Sequence, residues 1–384
     1  DDRDESGIYQ WGRMTMKSGR GAITMQGTSG EYQGIGFTAP LTESDTGVKQ
    51  LSMVSSKTSG TAIQLTGSSS AGVGVSFNYL NPKEVLSLGG GQVTINGTGV
   101  GTYGIDIQNL DVLSNTGDIN MYGGTGGVRI QDRGARYGSL LGSSVTSSSA
   151  DLLVRGDDLE YDDLVVGFVN TLESTGTAVM ESQGSAFSST FDYKNFDLGS
   201  SVSSLRIGKT SNSANIEVYD QVSIAGPISI YGADVTLRED LSSSLSGADI
   251  LVKGRGDIET TASRSVLTNN GDIALWSNSD NSGGGSIVLG NDNVLNSSNG
   301  RSGDTDSGGG RITLGGGSGS GTIPTGYSSS STGAGIKLGT STANHTEIYS
   351  GGGDISIKGS STVTGQVDDR DESGIYQWGR MTMK

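Results

Sequence analysis

The chain has no cysteine, one histidine and four prolines in 384 residues. Without cysteine, disulfides cannot staple the fold, although this says little about compartment. The single histidine, His345, sets aside His-rich metal chemistry and a histidine general base. Aromatic residues make up 6% of the chain and hydrophobic residues 32%. No apolar run approaches the roughly 20 residues needed to span a bilayer, so no membrane span is expected. Positive charge is also scarce. Lys and Arg number 25 against 41 Asp and Glu, a net charge of −16. An acidic surface repels phosphate, so nucleic acid is not an expected partner. No signal peptide is visible, which decides nothing for a window cut from inside an array.

Glycine (65), serine (59) and proline (4) fill a third of the chain. That composition approaches the disordered class. Two facts oppose disorder. The net charge is small for the length, and the apolar residues sit in short alternating strings. A glycine-rich turn, often ending in Asp or Ala, leads into each string. Examples are Gly21-Ala22-Ile23-Thr24-Met25, Gly91-Gln92-Val93-Thr94-Ile95, Ala248-Asp249-Ile250-Leu251-Val252, Gly271-Asp272-Ile273-Ala274-Leu275 and Gly353-Asp354-Ile355-Ser356-Ile357. Apolar side chains two residues apart share one face of a strand, and the residue between them faces water. No 3.6-residue pattern runs beyond about two turns, so helices should be few and the fold class all-β.

Ile273, Ile287, Ile312, Ile336 and Ile355 are spaced by 14, 25, 24 and 19 residues. Short strands alternating with tight turns fit a sandwich poorly, but they can stack on themselves as a β-solenoid with a narrow core of Ile, Val and Leu. About 17 coils at about 4.8 Å each would make one repeat about 80 Å long. About residues 138–205 are less regular, with an aromatic cluster at Phe187, Phe191, Tyr193 and Phe196. The expectation is longer coils or a loop excursion, and the alternative is a lateral docking surface.

Residues 1–17 return letter for letter as residues 368–384. The chain therefore reads as one 367-residue tandem repeat followed by the start of the next. The other reading is an engineered duplication of one end. Arrays of this kind are usually extended structural or adhesive proteins. Ile8-Tyr9-Gln10-Trp11 and Met14-Thr15-Met16 alternate like interior strands. The solenoid is therefore expected to run from repeat to repeat without a linker, each repeat capping its neighbour. A hinge at Gly365 to Asp371 would oppose this.

Ser204-Leu205-Arg206-Ile207-Gly208-Lys209, Ala225-Gly226-Pro227-Ile228-Ser229-Ile230-Tyr231-Gly232 and the Gly-Asp-Ile strand openings carry a family resemblance. The chain resembles the large exoproteins related to filamentous haemagglutinin, giant β-strand-repeat bacterial adhesins. The resemblance covers residues 204–237 most specifically and the rest loosely. It implies a right-handed parallel β-helix, export to the bacterial cell surface and a role in adhesion or surface structure. Nothing matches the family's amino-terminal secretion domain, which leaves the export route open.

Arg155-Gly156-Asp157 and Arg255-Gly256-Asp257 spell the tripeptide read by integrins, but Gly-Asp before an apolar residue is also this chain's ordinary turn signature. Acidic clusters suggest calcium, which takes six to eight oxygen ligands. They are Asp1, Asp2, Asp4 and Glu5 with their copies Asp368, Asp369, Asp371 and Glu372; Asp157, Asp158, Glu160, Asp162 and Asp163; Asp292 between Asn291 and Asn293; and Asp304 with Asp306. Solvated acidic turns are the alternative, because neither the EF-hand nor the calcium β-roll pattern is present. Otherwise no cofactor is expected.

Asp234, Asp249, Asp272 and Asp354 could in principle pair across a sugar as glycosidase carboxylates do. Their common pre-strand position reads more simply as turn formation. Asn96, Asn296 and Asn344 open glycosylation-type triplets of the kind a Ser/Asn-rich chain contains by chance. The functional expectation is an extracellular, non-enzymatic structural or adhesive unit. Its partners would be copies of itself end to end, with lateral bundling and a host surface or polysaccharide as further candidates. The competing class is a secreted β-helix enzyme or carbohydrate-binding module. A third reading is a subunit that assembles without covalent continuity.

Overall fold

The computed structural model describes residues 5–38, 51–78, 83–132, 140–142, 148–163, 170–300, 307–331, 333–363 and 373–384. Among them the fold is all-β, with strands of three to nine residues and no α-helix. The chain divides into two compact units, Asp1–Ser203 and Ser204–Lys384.

In the N-terminal unit the chain visits three sheets in rotation, and each strand as far as Leu152–Gly156 bonds to the strand three places further on. The first sheet runs through Ile8–Trp11, Ile35–Thr38, Val75–Phe77, Ile105–Gln108, Val128–Asp132 and Leu159–Asp163. The second runs from Met14–Ser18 to Phe196–Leu198, and the third from Ile23–Ser29 to Thr177–Glu181. The pairings among the described strands of this unit are all parallel and put like residues in register. Ile23, Ile63, Val93, Ile119, Leu152 and Ala178 form one column of the third sheet. Met25, Leu65, Ile95, Met121, Val154 and Met180 form the next inward column. Most of these side chains are fully buried. A period of two makes this possible, since alternate residues line the interior while the polar residues between them face out.

Glycine sets how tightly the corners close. A Cβ on Gly34 would lie 2.3 Å from the Ser68 nitrogen, and one on Gly104 would lie 1.9 Å from the Gly123 oxygen. Both contacts are with backbone, so no larger residue fits there. At the far end of this unit the core turns aromatic. Tyr161, Phe191, Tyr193 and Phe196 are buried, and the Tyr161 and Phe196 rings lie 4.9 Å apart. The aromatic cluster read from the sequence is thus interior, where the first sheet ends at Leu159–Asp163 and the second at Phe196–Leu198.

The C-terminal unit follows the same scheme. Leu205, Ile228, Ile250, Ile273, Ile312 and Ile355 form one column. Ile216, Val235, Ile258, Ile287, Ile336 and Ile375 form another. Val222, Leu241, Val266, Leu295, Ile348 and Met383 line the third sheet direction. One excursion interrupts it. The strand Ile312–Ser320 runs past its neighbour and folds back antiparallel against Ile323–Gly326.

Each full turn takes three strands, and the described residues of each unit contain six such turns. The expected 17 assumed turns shorter than most of those the chain makes: in the column that starts at Leu205, in-register steps run from 22 residues, Ile228 to Ile250, to 43, Ile312 to Ile355. Ile273 to Ile287 is a move from one sheet to the next, whereas Ile273 to Ile312 is a full turn.

Replacing one interior side chain should leave a cavity that neighbouring turns cannot fill. Ile230→Ala is expected to cost about 2–5 kcal/mol in denaturant unfolding. Ser229→Ala, one residue away and outward-facing, should stay within about 0.5 kcal/mol.

Candidate functional site

The acidic turn residues have a common task. The Asp249 carboxylate accepts the Asp272 backbone N–H at 2.7 Å, and the Asp272 carboxylate accepts the Arg311 N–H at 2.7 Å. Asp234 accepts the Asp257 N–H at 2.8 Å, and Asp257 accepts both the N–H and the hydroxyl of Ser286. Asn215 does the same for the Asp234 N–H at 3.1 Å. Each side chain therefore holds the backbone of the equivalent turn one level on. The pre-strand position favours Asp and Asn because a short side chain with a terminal oxygen reaches a backbone N–H from there. Burial pushes the Asp249 carboxyl above its usual range, while the Asp272 N–H and then the Arg311 charge act in the opposite direction.

This places the carboxylates considered for catalysis. Asp234, Asp249 and Asp272 occupy successive rungs of turn ladders rather than converging on a cleft. Asp354 stands at the same position, and among the described residues no hydrogen bond reaches its carboxylate.

Both integrin-type tripeptides lie within this network. Arg255 pairs with Asp280 at 3.0 Å, and Asp257 is held by Ser286. Arg155 donates to Glu181 at 2.6 Å, and Asp157 accepts the Gly184 N–H at 2.7 Å. Their turns are fixed by neighbouring turns and do not form projecting loops.

Of the calcium candidates, Asp1, Asp2, Asp4, Asp304, Asp306, Asp368, Asp369, Asp371 and Glu372 lie outside the described residues, as does the segment Gly365 to Asp371. The backbones of Asp162 and Asp163 pair with Gln131 and Asp132. Asp158 is pushed above its usual range by burial and then by the nearby Glu160. Glu160 takes the Tyr103 hydroxyl, while the Arg129 guanidinium lies 4.3 Å from the Tyr103 ring centroid and pairs with Asp106 at 2.7 Å. Asp292 adopts a left-handed turn (φ 56°) and accepts the His345 N–H at 3.0 Å. Among the described residues no group of three or more acidic or histidine side chains could hold a metal ion. Asn296 and Asn344 are buried and spent on Ser298 and on the Trp378 carbonyl, respectively. Asn96 is half-buried within its strand.

Two features escaped the sequence reading. Lys83 stands at an inward position between Leu51 and Leu110 and is 2% exposed. Its ammonium reaches the Gln108 carbonyl at 3.3 Å, and burial lowers its pKa from 10.5 to about 7. Trp276 stands at an outward position but is buried beneath the antiparallel excursion. Its indole N–H donates to the Gly317 carbonyl at 2.9 Å, and the Lys253 ammonium lies 3.7 Å from its ring centroid. A lysine in an apolar stripe and a tryptophan at a polar position were the available signals.

No protein-family model, no curated protein and no solved structure matches the chain.

Asp257→Ala should lose about 1–2 kcal/mol of stability, because the Ser286 N–H loses a charged acceptor. Asp257→Asn should be closer to neutral, as Asn215 already performs the same task. A second expectation concerns pH. The folded state depresses the Lys83 pKa, so its favourable contribution is complete above about 10.5 and is lost as pH falls towards about 7. Lys83→Met should therefore raise stability at neutral pH and flatten the stability profile between pH 7 and 10, measured by denaturant titration.

Proposed function

We propose that this chain is a structural and adhesive repeat unit of a giant extracellular bacterial filament, fibre or sheath protein. Its backbone is read as a right-handed parallel β-helix. The observation that carries the reading is the unbroken parallel register of inward columns in each unit, taken together with the return of residues 1–17 at 368–384. A stack of turns has two open strand edges, and open edges are a hazard unless something covers them. A tandem array covers each edge with the next copy. The turn chemistry supports the same reading, since the acidic and amide side chains are spent on neighbouring turns. The resemblance of residues 204–237 to filamentous-haemagglutinin-like exoproteins adds cell-surface export and adhesion.

Six turns in the described residues of each unit, at about 4.8 Å each, amount to about 29 Å of stacked strands per unit. Electron microscopy of native material should show long unbranched fibres with a regular axial repeat. Mass measurement under denaturing conditions should give many multiples of the 39.3 kDa chain. Compact monodisperse particles active on a polysaccharide would instead place the protein among secreted enzymes.

A further inference from the structure

The described residues of the two copies of the 17-residue peptide form matching pairs of strands yet offer opposite edges. The first forms the strands Ile8–Trp11 and Met14–Ser18, and the second forms Ile375–Gln377 and Arg380–Met383. Gln10 donates to the Gly12 carbonyl and Gln377 to the Gly379 carbonyl, and both glycines take positive φ. The first copy pairs forward: Ile8 with Ile35, Gln10 with Phe37, Met14 with Leu51 and Met16 with Met53. The second pairs backward: Ile375 with Ile336, Gln377 with Leu338, Met381 with Thr346 and Met383 with Ile348.

The backbone groups used by the two copies do not overlap. In the first, the Gly7 and Ile8 N–H groups donate forward to Gln33 and Gly34, each at 3.0 Å. In the second, the Gly374 carbonyl accepts from Ile336 at 2.9 Å. The Trp378, Arg380 and Lys384 N–H groups there donate backward to Leu338, Asn344 and Ile348. One peptide can therefore make both sets of bonds at once. The relay also keeps its sense, because Ile287 donates to Gly335, Ile336 to Gly374, Ile8 to Gly34 and Ile35 to Gly74.

We infer that in the tandem array this peptide supplies two strands of a single shared turn, stacked directly between residues 336–338 and 345–348 of one repeat and residues 35–38 and 51–55 of the next. The inference rests on the array reading above and adds the register of the junction. Ile336–Ile8–Ile35 and Ile348–Met16–Met53 become continuous inward columns. Ile375 and Met383, each 44% exposed here, become interior. The third strand of the junction turn follows. Ile355 and Ile357 are half-buried with one covered edge, and Ile23 and Met25 of the next repeat arrive above them. Ser356 then stands beside Thr24, both outward. Asp354 accepts the Ala22 N–H, as Asp249 accepts that of Asp272.

The cysteine-free chain allows a direct test. A protein carrying two 367-residue repeats and the closing 17 residues is given Ser356→Cys in the first repeat and Thr24→Cys in the second. Adjacent outward positions on parallel strands lie within disulfide reach. Oxidation should link them within one chain nearly completely, whereas Ser356→Cys with Gln26→Cys, two residues out of register, should link several-fold less. No preference for Thr24 over Gln26, or linkage only between chains, overturns the inference, the latter in favour of separate-chain assembly. Amide exchange of the interior strands around Ile230 and Ile250 separates the two readings. Protection there with an unlinked junction removes only the shared turn, whereas rapid exchange there removes the stacked-turn reading itself.

Discussion

Among the described residues each strand bonds to another strand of the same chain, and nearly all of these bonds run between neighbouring turns. Helices satisfy their own N–H and C=O groups locally, but a three-residue strand satisfies none of its own. The fold is viable only because successive turns arrive in parallel register, so that each N–H finds a carbonyl one level away. Inward apolar columns, corner glycines and acidic turn ladders all serve that register. A shift by one residue would send Ile250 and Val252 outward together, so the apolar pattern and the hydrogen bonding enforce each other.

The side-chain chemistry is correspondingly spent on the turns. Asp and Asn at pre-strand positions bridge to the next backbone N–H, and Arg–carboxylate pairs such as Arg238–Glu217 and Arg264–Glu239 link side chains 21 to 25 residues apart. Such exposed ion pairs contribute little each. Their effect is to favour one register over its neighbours. A surface built this way is acidic and hydrated without being loosely organised.

Much of this was legible in the residues. Gly271-Asp272-Ile273-Ala274-Leu275 reads as turn, ladder residue and two-residue alternation, and it folds that way. The reading of Gly-Asp as a turn signature, not an integrin site, follows from the same pattern. The rotation among three sheets was not legible, because loops of different length blur one-third turns with whole ones. The excursion over Trp276 was hidden for a different reason. Gly315-Gly316-Gly317 looks like a strand terminator, yet the strand continues through it, because the absence of side chains lets the returning segment approach. Lys83 escaped because a long aliphatic stem fills an apolar column as leucine does, and only the ammonium betrays it.

Strand starts such as Ile250 and Ile258 donate their N–H to the turn that follows, at Asp272 and Ser286, whereas strand ends such as Thr261 donate to the turn before, at Leu237, and all these strands run the same way along the chain. The two faces of the stack are not interchangeable: each presents both donors and acceptors, but from different residues and with one strand direction. A second stack can join only in the same sense, since an inverted one would bring antiparallel edges and mismatched columns together. Any assembly grown from such units is therefore vectorial, with a distinct leading and trailing end fixed by the order of synthesis.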